Sequence, residues 1–207
     1  MPINNESREK LIECAKKEFI EKGFTNASLR SICSQAGLTT GAVYFLFKDK
    51  NGLFEAVVSG ALNELMALLH THLEQESKTD ISDFYYVAGE HDSFAKQLVD
   101  LLYSHYDEMM ILLEKSQGSQ FEDLPDRFVG MLDEGYLKSA QKFADSVPGK
   151  RVNRYMLHWL SHIQVDAFTH LLTHESDRDK AEEKIKPVLD MLVKSWLEFV
   201  LEDDKQC

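Results

Sequence analysis

The stretch from Ser28 to Lys50 holds the densest set of side chains able to do surface chemistry. Thr39, Thr40, Gly41 and Ala42 are small or polar and consecutive, Tyr44 and Phe45 follow within a helical turn, and Lys48 and Lys50 place positive charge just beyond. A helix start of this kind suits close approach to a surface bearing donors, acceptors and methyl groups, which is what base-pair edges in a major groove present. Thr40 can hydrogen-bond a base or a phosphate, Gly41 admits close approach, and Ala42 can touch a thymine methyl. Phe45 can do the same or simply pack. With Thr39 as the cap, the first backbone N–H groups of the helix also face a phosphate. Lys48 and Lys50 would add charge contacts that do not depend on sequence.

A second constellation is a stripe of His158, His162, Asp166, His170 and His174, each one helical turn from the next. Neighbours on such a stripe can share a metal or a proton. The stripe drifts around the helix and has no Cys or carboxylate cluster to complete a shell, so surface or satisfied histidines are the expectation, with no metal and no cofactor. Cys14, Cys33 and Cys207 lack the spacing of a thiolate site or a disulfide framework. Enzyme chemistry finds no foothold: there is no G-x-S-x-G elbow, phosphate-cradling glycine loop or H-E-x-x-H. An all-helical enzyme and a protein-binding scaffold remain the alternatives from other classes; neither needs the Thr-Gly-Ala-Val-Tyr segment or predicts salt-sensitive DNA binding.

The elements that must position these residues read as helices throughout. Leu11, Ile12, Ala15, Phe19 and Ile20 recur at three- and four-residue spacings after Ser7, an N-cap candidate, and Gly23 ends that helix. Ser28 caps a second short helix, Gly37 supplies the positive φ of a tight turn, and Thr39 caps a third helix whose Val43 and Phe47 share one face. A break at Asp49-Lys50-Asn51-Gly52 precedes a long helix over 53–75, and a loop falls within 78–92. Further helices are expected over 93–103, 107–115, 123–143, 152–174 and 179–202, with no segment alternating long enough for a sheet. The fold class is therefore all-α, about nine helices. A three-helix head occupies residues 1–52 and a larger helical body residues 53–207.

The last two helices are apolar over too wide an arc for packing on one side, which points to a homodimer with Trp159, Ile163, Leu192 and Trp196 at its interface, the alternative being central core helices of a monomer. Charge divides along the 207-residue chain. The net charge is −12, yet residues 1–50 hold eight Lys/Arg against six acids, leaving −14 for the rest. A mildly basic head can approach phosphates while an acidic body discourages unproductive orientations. The polar start and the lack of an apolar run near membrane-spanning length place the chain in the cytoplasm, with no membrane partner.

Residues 28–48, Ser-Leu-Arg-Ser-Ile-Cys-Ser-Gln-Ala-Gly-Leu-Thr-Thr-Gly-Ala-Val-Tyr-Phe-Leu-Phe-Lys, followed by Asp-Lys-Asn-Gly-Leu-Phe54, resemble the DNA-binding signature of the TetR family. The resemblance extends over about residues 7 to 60 at motif level; beyond it only the helix count and the two-helix ending agree. It implies a ligand-responsive transcriptional regulator, most often a repressor, bound as a homodimer to a palindromic double-stranded operator. DNA contacts would come from Ser28, Thr39, Thr40, Gly41, Ala42, Tyr44, Phe45, Lys48 and Lys50, with Tyr44 on a phosphate. Leu46 departs from the pattern where the family often places a polar residue. An unidentified small-molecule effector, apolar or aromatic, is implied in the body, and the aromatic and soft apolar residues Tyr103, Tyr106, Met110, Phe121, Phe128 and Met131 are the candidates to line its pocket.

Overall fold

The computed structural model describes residues 5–78 and 88–204, and most of the expected 78–92 loop lies outside that range. Among the described residues there are nine helices: α1 (Asn5–Asn26), α2 (Leu29–Ala36), α3 (Thr40–Phe47), α4 (Lys50–Glu76), α5 (Ala88–Ser104), α6 (Tyr106–Glu114), α7 (Leu124–Ser146), α8 (Arg154–His174) and α9 (Arg178–Val200). The all-helical expectation holds. One exception is a short antiparallel pair, β1 (Lys150–Val152) with β2 (Leu201–Asp203), joined also by Lys150–Asp203 and Arg151–Glu202 ion pairs at 2.8 and 2.7 Å. Three residues are too few to show a period of two, so this pair trims helices that apolar spacing alone would extend.

Local signals explain most helix ends. The Ser28 hydroxyl accepts from Ser31 N–H, and Gly37 closes α2 in the left-handed region at φ 69°. Asn153 caps α8 and Asp177 caps α9 through their side chains. Two ends differ from expectation. Ser7 lies inside α1 and is buried, so it does not cap it, and α1 continues through a kink at Gly23 to Asn26. The long α4 starts at Lys50, three residues before the sequence break suggested, because the Asp49 carboxylate accepts from Gly52 N–H at 2.8 Å and caps it.

The chain divides into two compact units, one of residues 1–64 and 105–124, the other of 65–104 and 125–207. In the first, Phe19, Phe24, Phe54 and Phe121 form an aromatic cluster with ring centroids 4.9 to 6.2 Å apart. The segment from α6 to Phe121 is tied to α1 by Lys16 on Glu108 at 2.9 Å and by Phe24 N–H donating to the Lys115 carbonyl at 2.8 Å. At Gly118, φ is 85° and a Cβ would stand 2.8 Å from the Thr25 hydroxyl, so only glycine fits this contact without adjustment.

The second unit centres on Phe143, Leu157, Leu160, Leu192, Trp196 and Val200. Leu192 and Trp196 are 9% and 8% exposed within this core, which corrects their assignment to a subunit interface. A core residue already covered by its own chain offers nothing to a partner. Helix α4 also carries an 18-residue window of mean hydropathy 1.4. That corrects the expectation that no segment approaches the apolarity of a membrane span, although Leu53, Phe54, Val58 and Ala61 on this helix are buried in the protein core.

Candidate nucleic-acid interface

Helix α3 is held by Val43 and Phe47, which are 0% and 6% exposed. The opposite face is open: Gly41 is exposed, Thr40 half-exposed, and Tyr44 and Phe45 are 59% and 74% exposed. Two large aromatic side chains left in water on an eight-residue helix are costly to solvate, and they form a surface ready for a partner. Ala42 is 3% exposed, so its methyl packs inward and is withdrawn as a base contact. Its position one residue from Val43 puts it on the inner side of the cylinder. Thr39 occupies the cap position with extended backbone, but its side chain makes no capping bond and stays exposed. Ser28 is exposed and spends its hydroxyl on capping α2, while Leu46 is half-buried.

The two lysines separate. Lys48 is exposed, has no ion pair among the described residues, and sits at φ 72°, ψ −49° as the only non-glycine residue there with positive φ. Asp49 N–H donates to the Phe47 carbonyl at 2.9 Å across it, which makes Lys48 the centre of a strained γ-turn. Gly52 packs beneath that turn, since a Cβ there would meet the Phe47 carbonyl oxygen at 1.9 Å. Lys50, by contrast, donates to the Thr25 carbonyl at 3.2 Å and lies 4.7 Å from the Phe24 ring centroid. Burial pulls its ammonium below the ordinary lysine range, with Glu18 opposing. Lys50 is therefore a strut of the head, and its expected phosphate contact is revised.

What fixes α2 against α1 is Glu18, a residue the sequence reading passed over. It is 2% exposed and accepts from Lys22 Nζ at 2.8 Å, Ser28 N–H at 3.1 Å, Ser31 Oγ at 2.9 Å and Gln35 Nε2 at 3.4 Å. Burial alone would raise its pKa, but Lys22, the Ser28 N–H and the Ser31 hydroxyl outweigh it and hold the carboxyl below its usual range. The available signal was an acid on the same helical face as Leu11 and Ala15. Arg30, exposed on α2, likewise makes no ion pair among the described residues.

The other predicted sites fare differently. Phe121 belongs to the aromatic cluster of the first unit, as do Tyr106 and Met110 on α6 to that unit. The Tyr103 hydroxyl donates to the Glu175 carbonyl at 2.6 Å. Phe128 is buried and Met131 half-buried on α7. None of these six lines the apolar cavity of the second unit, whose walls include Phe94, Tyr136, Ser139, Gln164, Phe168 and Trp196. In the histidine stripe, His158 Nδ1 pairs with Asp133 at 2.6 Å and its Nε2 faces His162 Nε2 at 3.2 Å, while His174 Nδ1 lies 2.9 Å from the His170 carbonyl. Among the described residues no three His, Cys, Asp or Glu side chains converge on a common point. Burial raises the thiol pKa of both Cys14 and Cys33, which disfavours thiolate chemistry at either, and Cys207 lies outside the described residues. Of the proposed interface, Trp159 is 50% exposed, and Ile163 is half-buried against the core.

Residues 11–57 match the family model described as bacterial regulatory proteins, tetR family. Over 56 residues the chain is 38% identical to the HTH-type transcriptional repressor BepR of Brucella suis, covering 27% of each chain. Over 75 residues it is 33% identical to the HTH-type transcriptional regulator TtgR of Pseudomonas putida, covering 36% of this chain and 33% of that one. These alignments span only a quarter to a third of the curated relatives. Across most of its length the chain has the fold of a transcriptional regulator from Aquifex aeolicus (TM-score 0.60, 20% identity, 90% of this chain and 99% of that one). The same holds for NalD of Pseudomonas aeruginosa (TM-score 0.54, 24% identity, 89% and 94%), described as the secondary repressor of a multidrug efflux pump.

Proposed function

We propose that the chain is a transcriptional regulator of the TetR family that binds a palindromic operator as a homodimer, represses transcription in the cytoplasm, and leaves DNA when a small apolar or aromatic effector binds; the match of residues 11–57 to that family's model supports this reading. The observation that carries DNA binding is the outward face of α3: Tyr44 and Phe45 exposed, Gly41 open, and an unpaired Lys48 held out on a strained turn. Strain persists only where surrounding structure enforces it, and it concentrates at functional positions. Residues 1–52 are the DNA-binding domain in this reading and residues 53–207 the effector-binding and dimerisation domain.

Dimerisation is supported by Tyr155 and Trp159 on α8 and Met191 and Phe199 on α9, which are 70, 50, 57 and 45% exposed. These replace Leu192 and Trp196 as interface residues. A two-fold dimer would set two reading helices against half-sites one helical turn apart, roughly 34–36 Å. Effector control needs little energy, since a tenfold loss of operator affinity is about 1.4 kcal/mol of coupling.

The test is anisotropy of a labelled duplex carrying a selected operator, titrated with the purified chain at several salt concentrations. Tight, salt-sensitive binding at a stoichiometry of two chains per duplex is expected. Salt-insensitive or absent binding would return the scaffold reading to favour.

A further inference from the structure

Helix α8 carries two pairs of histidines one turn apart, and their side chains are aimed differently. His170 and His174 stack, with ring centroids 3.9 Å apart and planes inclined by 23°, and His174 Nδ1 lies 2.9 Å from the His170 carbonyl. Stacking sets those rings side by side, and the His174 nitrogen is taken up by its own helix. His158 and His162 stand edge to face at 90°, and their two Nε2 atoms meet at 3.2 Å. Side-chain aim thus separates two pairs that helical spacing makes alike.

Behind His158 stands Asp133 on α7, with a carboxylate oxygen 2.6 Å from His158 Nδ1. An ionised carboxylate only accepts, so His158 carries a proton on Nδ1 and can turn the lone pair of its Nε2 toward His162. The other Asp133 oxygen is buried and has no hydrogen-bond partner among the described residues. A carboxylate so placed is short of positive charge, and a cation on the far nitrogen of the ring supplies it through the imidazole. Two nitrogens bound to one ion at about 2.0–2.1 Å and a tetrahedral angle stand roughly 3.3–3.4 Å apart, so the observed 3.2 Å needs little adjustment. Solvent ions can reach the pair, since the His158 side chain is 53% exposed and His162 is only half-buried.

We propose that His158 Nε2 and His162 Nε2 together bind one divalent late-transition-metal cation, with Asp133 orienting His158 and solvent filling the remaining positions. Without metal the two rings share the His162 proton across the same gap; on binding, the cation takes its place and His162 holds its proton on Nδ1. Two neutral nitrogen donors favour Cu²⁺ over Ni²⁺ and Zn²⁺, and they offer the oxygen-seeking Mg²⁺ and Ca²⁺ nothing better than water. Two protein ligands agree with the finding that no three such groups converge among the described residues. The bound cation fastens adjacent turns of α8 and, through Asp133, ties them to α7. This site is independent of the apolar effector reading, and it departs from the expectation, drawn from spacing alone, that the stripe binds no metal.

Calorimetry on the untagged full chain, first stripped of metal with EDTA, tests it with CuSO₄ and ZnCl₂ as probes and MgCl₂ as the control. Wild-type protein is expected to bind Cu²⁺ more tightly than Zn²⁺ and to ignore Mg²⁺. Electron paramagnetic resonance of the Cu²⁺ form should show coupling to two imidazole nitrogens, and to one after His158→Ala or His162→Ala. Asp133→Asn should weaken Cu²⁺ about tenfold, as loss of a carboxylate behind a ligating histidine does, and either histidine variant should weaken it further. His170→Ala combined with His174→Ala should leave the affinity unchanged. Circular dichroism should show wild-type helix content in each variant, because these rings lie at the surface. Absence of Cu²⁺ uptake at about 100 µM, indifference of the affinity to His158→Ala or His162→Ala, or an equal loss from the His170 and His174 double variant would each overturn the proposal. Unchanged affinity in Asp133→Asn would overturn the part given to Asp133.

Discussion

Replacing Glu18 removes the one buried carboxylate among the described residues, which ties α1 to α2 from inside the first unit. Of its four hydrogen bonds, the Lys22 contact is half in water and the Gln35 contact is long at 3.4 Å, so both contribute little. The Ser28 N–H and Ser31 hydroxyl bonds to a charged acceptor remain, each worth about 1.5 kcal/mol at the low end, or about 3 kcal/mol for Glu18→Ala. For a chain of this size that is a fall of about 6–12 °C in thermal midpoint, read by circular dichroism. Glu18→Gln keeps the shape but turns an amide N–H toward donors, and should lose about half as much. The pH dependence has a definite sign. The folded carboxyl titrates below its ordinary value of 4.5, so its contribution is complete above that value and disappears as pH falls through the folded pKa. Wild type should therefore lose more stability than Glu18→Gln on acidification through this window. A Glu18→Ala variant within about 0.5 kcal/mol of wild type at neutral pH would refute the reasoning, since that is the spread of an inert surface change.

Three further outcomes are expected. Lys48→Ala should weaken binding to all duplexes alike and make the salt slope shallower by about one, whereas Lys50→Ala should leave the slope unchanged and lower the thermal midpoint; salt titrations and melting curves separate the two. Gly52→Ala places a Cβ 1.9 Å from the Phe47 carbonyl oxygen, so it should destabilise the head by about 1–3 kcal/mol in denaturant titration. Trp159→Asp should yield folded monomers by sedimentation, while Leu192→Asp should unfold the body, because only the first residue is exposed.

Helix α3 and the turn before it were legible in the sequence because their determinants are local. Ser28, Gly37 and the small residues after Thr39 act within one turn of themselves, and spacing reports such effects directly. Lys50 was misjudged for the complementary reason: adjacency places a charge near a surface but does not tell which way the chain turns it, and here Thr25 and Phe24 claim it. Glu18 and the α6 segment are fixed by contacts made across long sequence separations, which no period reveals. The cavity walls come from α4, α5, α7, α8 and α9 together. A local density of Tyr, Phe and Met therefore marked buried core such as Phe121 and Phe128 and not the lining. Apolar width on the last two helices carried information about an exposed face, but the periodicity could not separate Trp159 outside from Trp196 inside.

The central claim is that the outward face of α3 reads a DNA sequence. Selection of bound duplexes from a randomised double-stranded pool tests it most directly, run in parallel with wild-type protein, Thr40→Ala and Tyr44→Ala. The account predicts that wild type enriches a palindromic sequence, that Thr40→Ala relaxes or shifts the preferred bases, and that Tyr44→Ala weakens binding while keeping the same preference, as a phosphate contact should. Enrichment of no sequence by the wild-type chain, or the same motif at the same affinity from both variants, would contradict it.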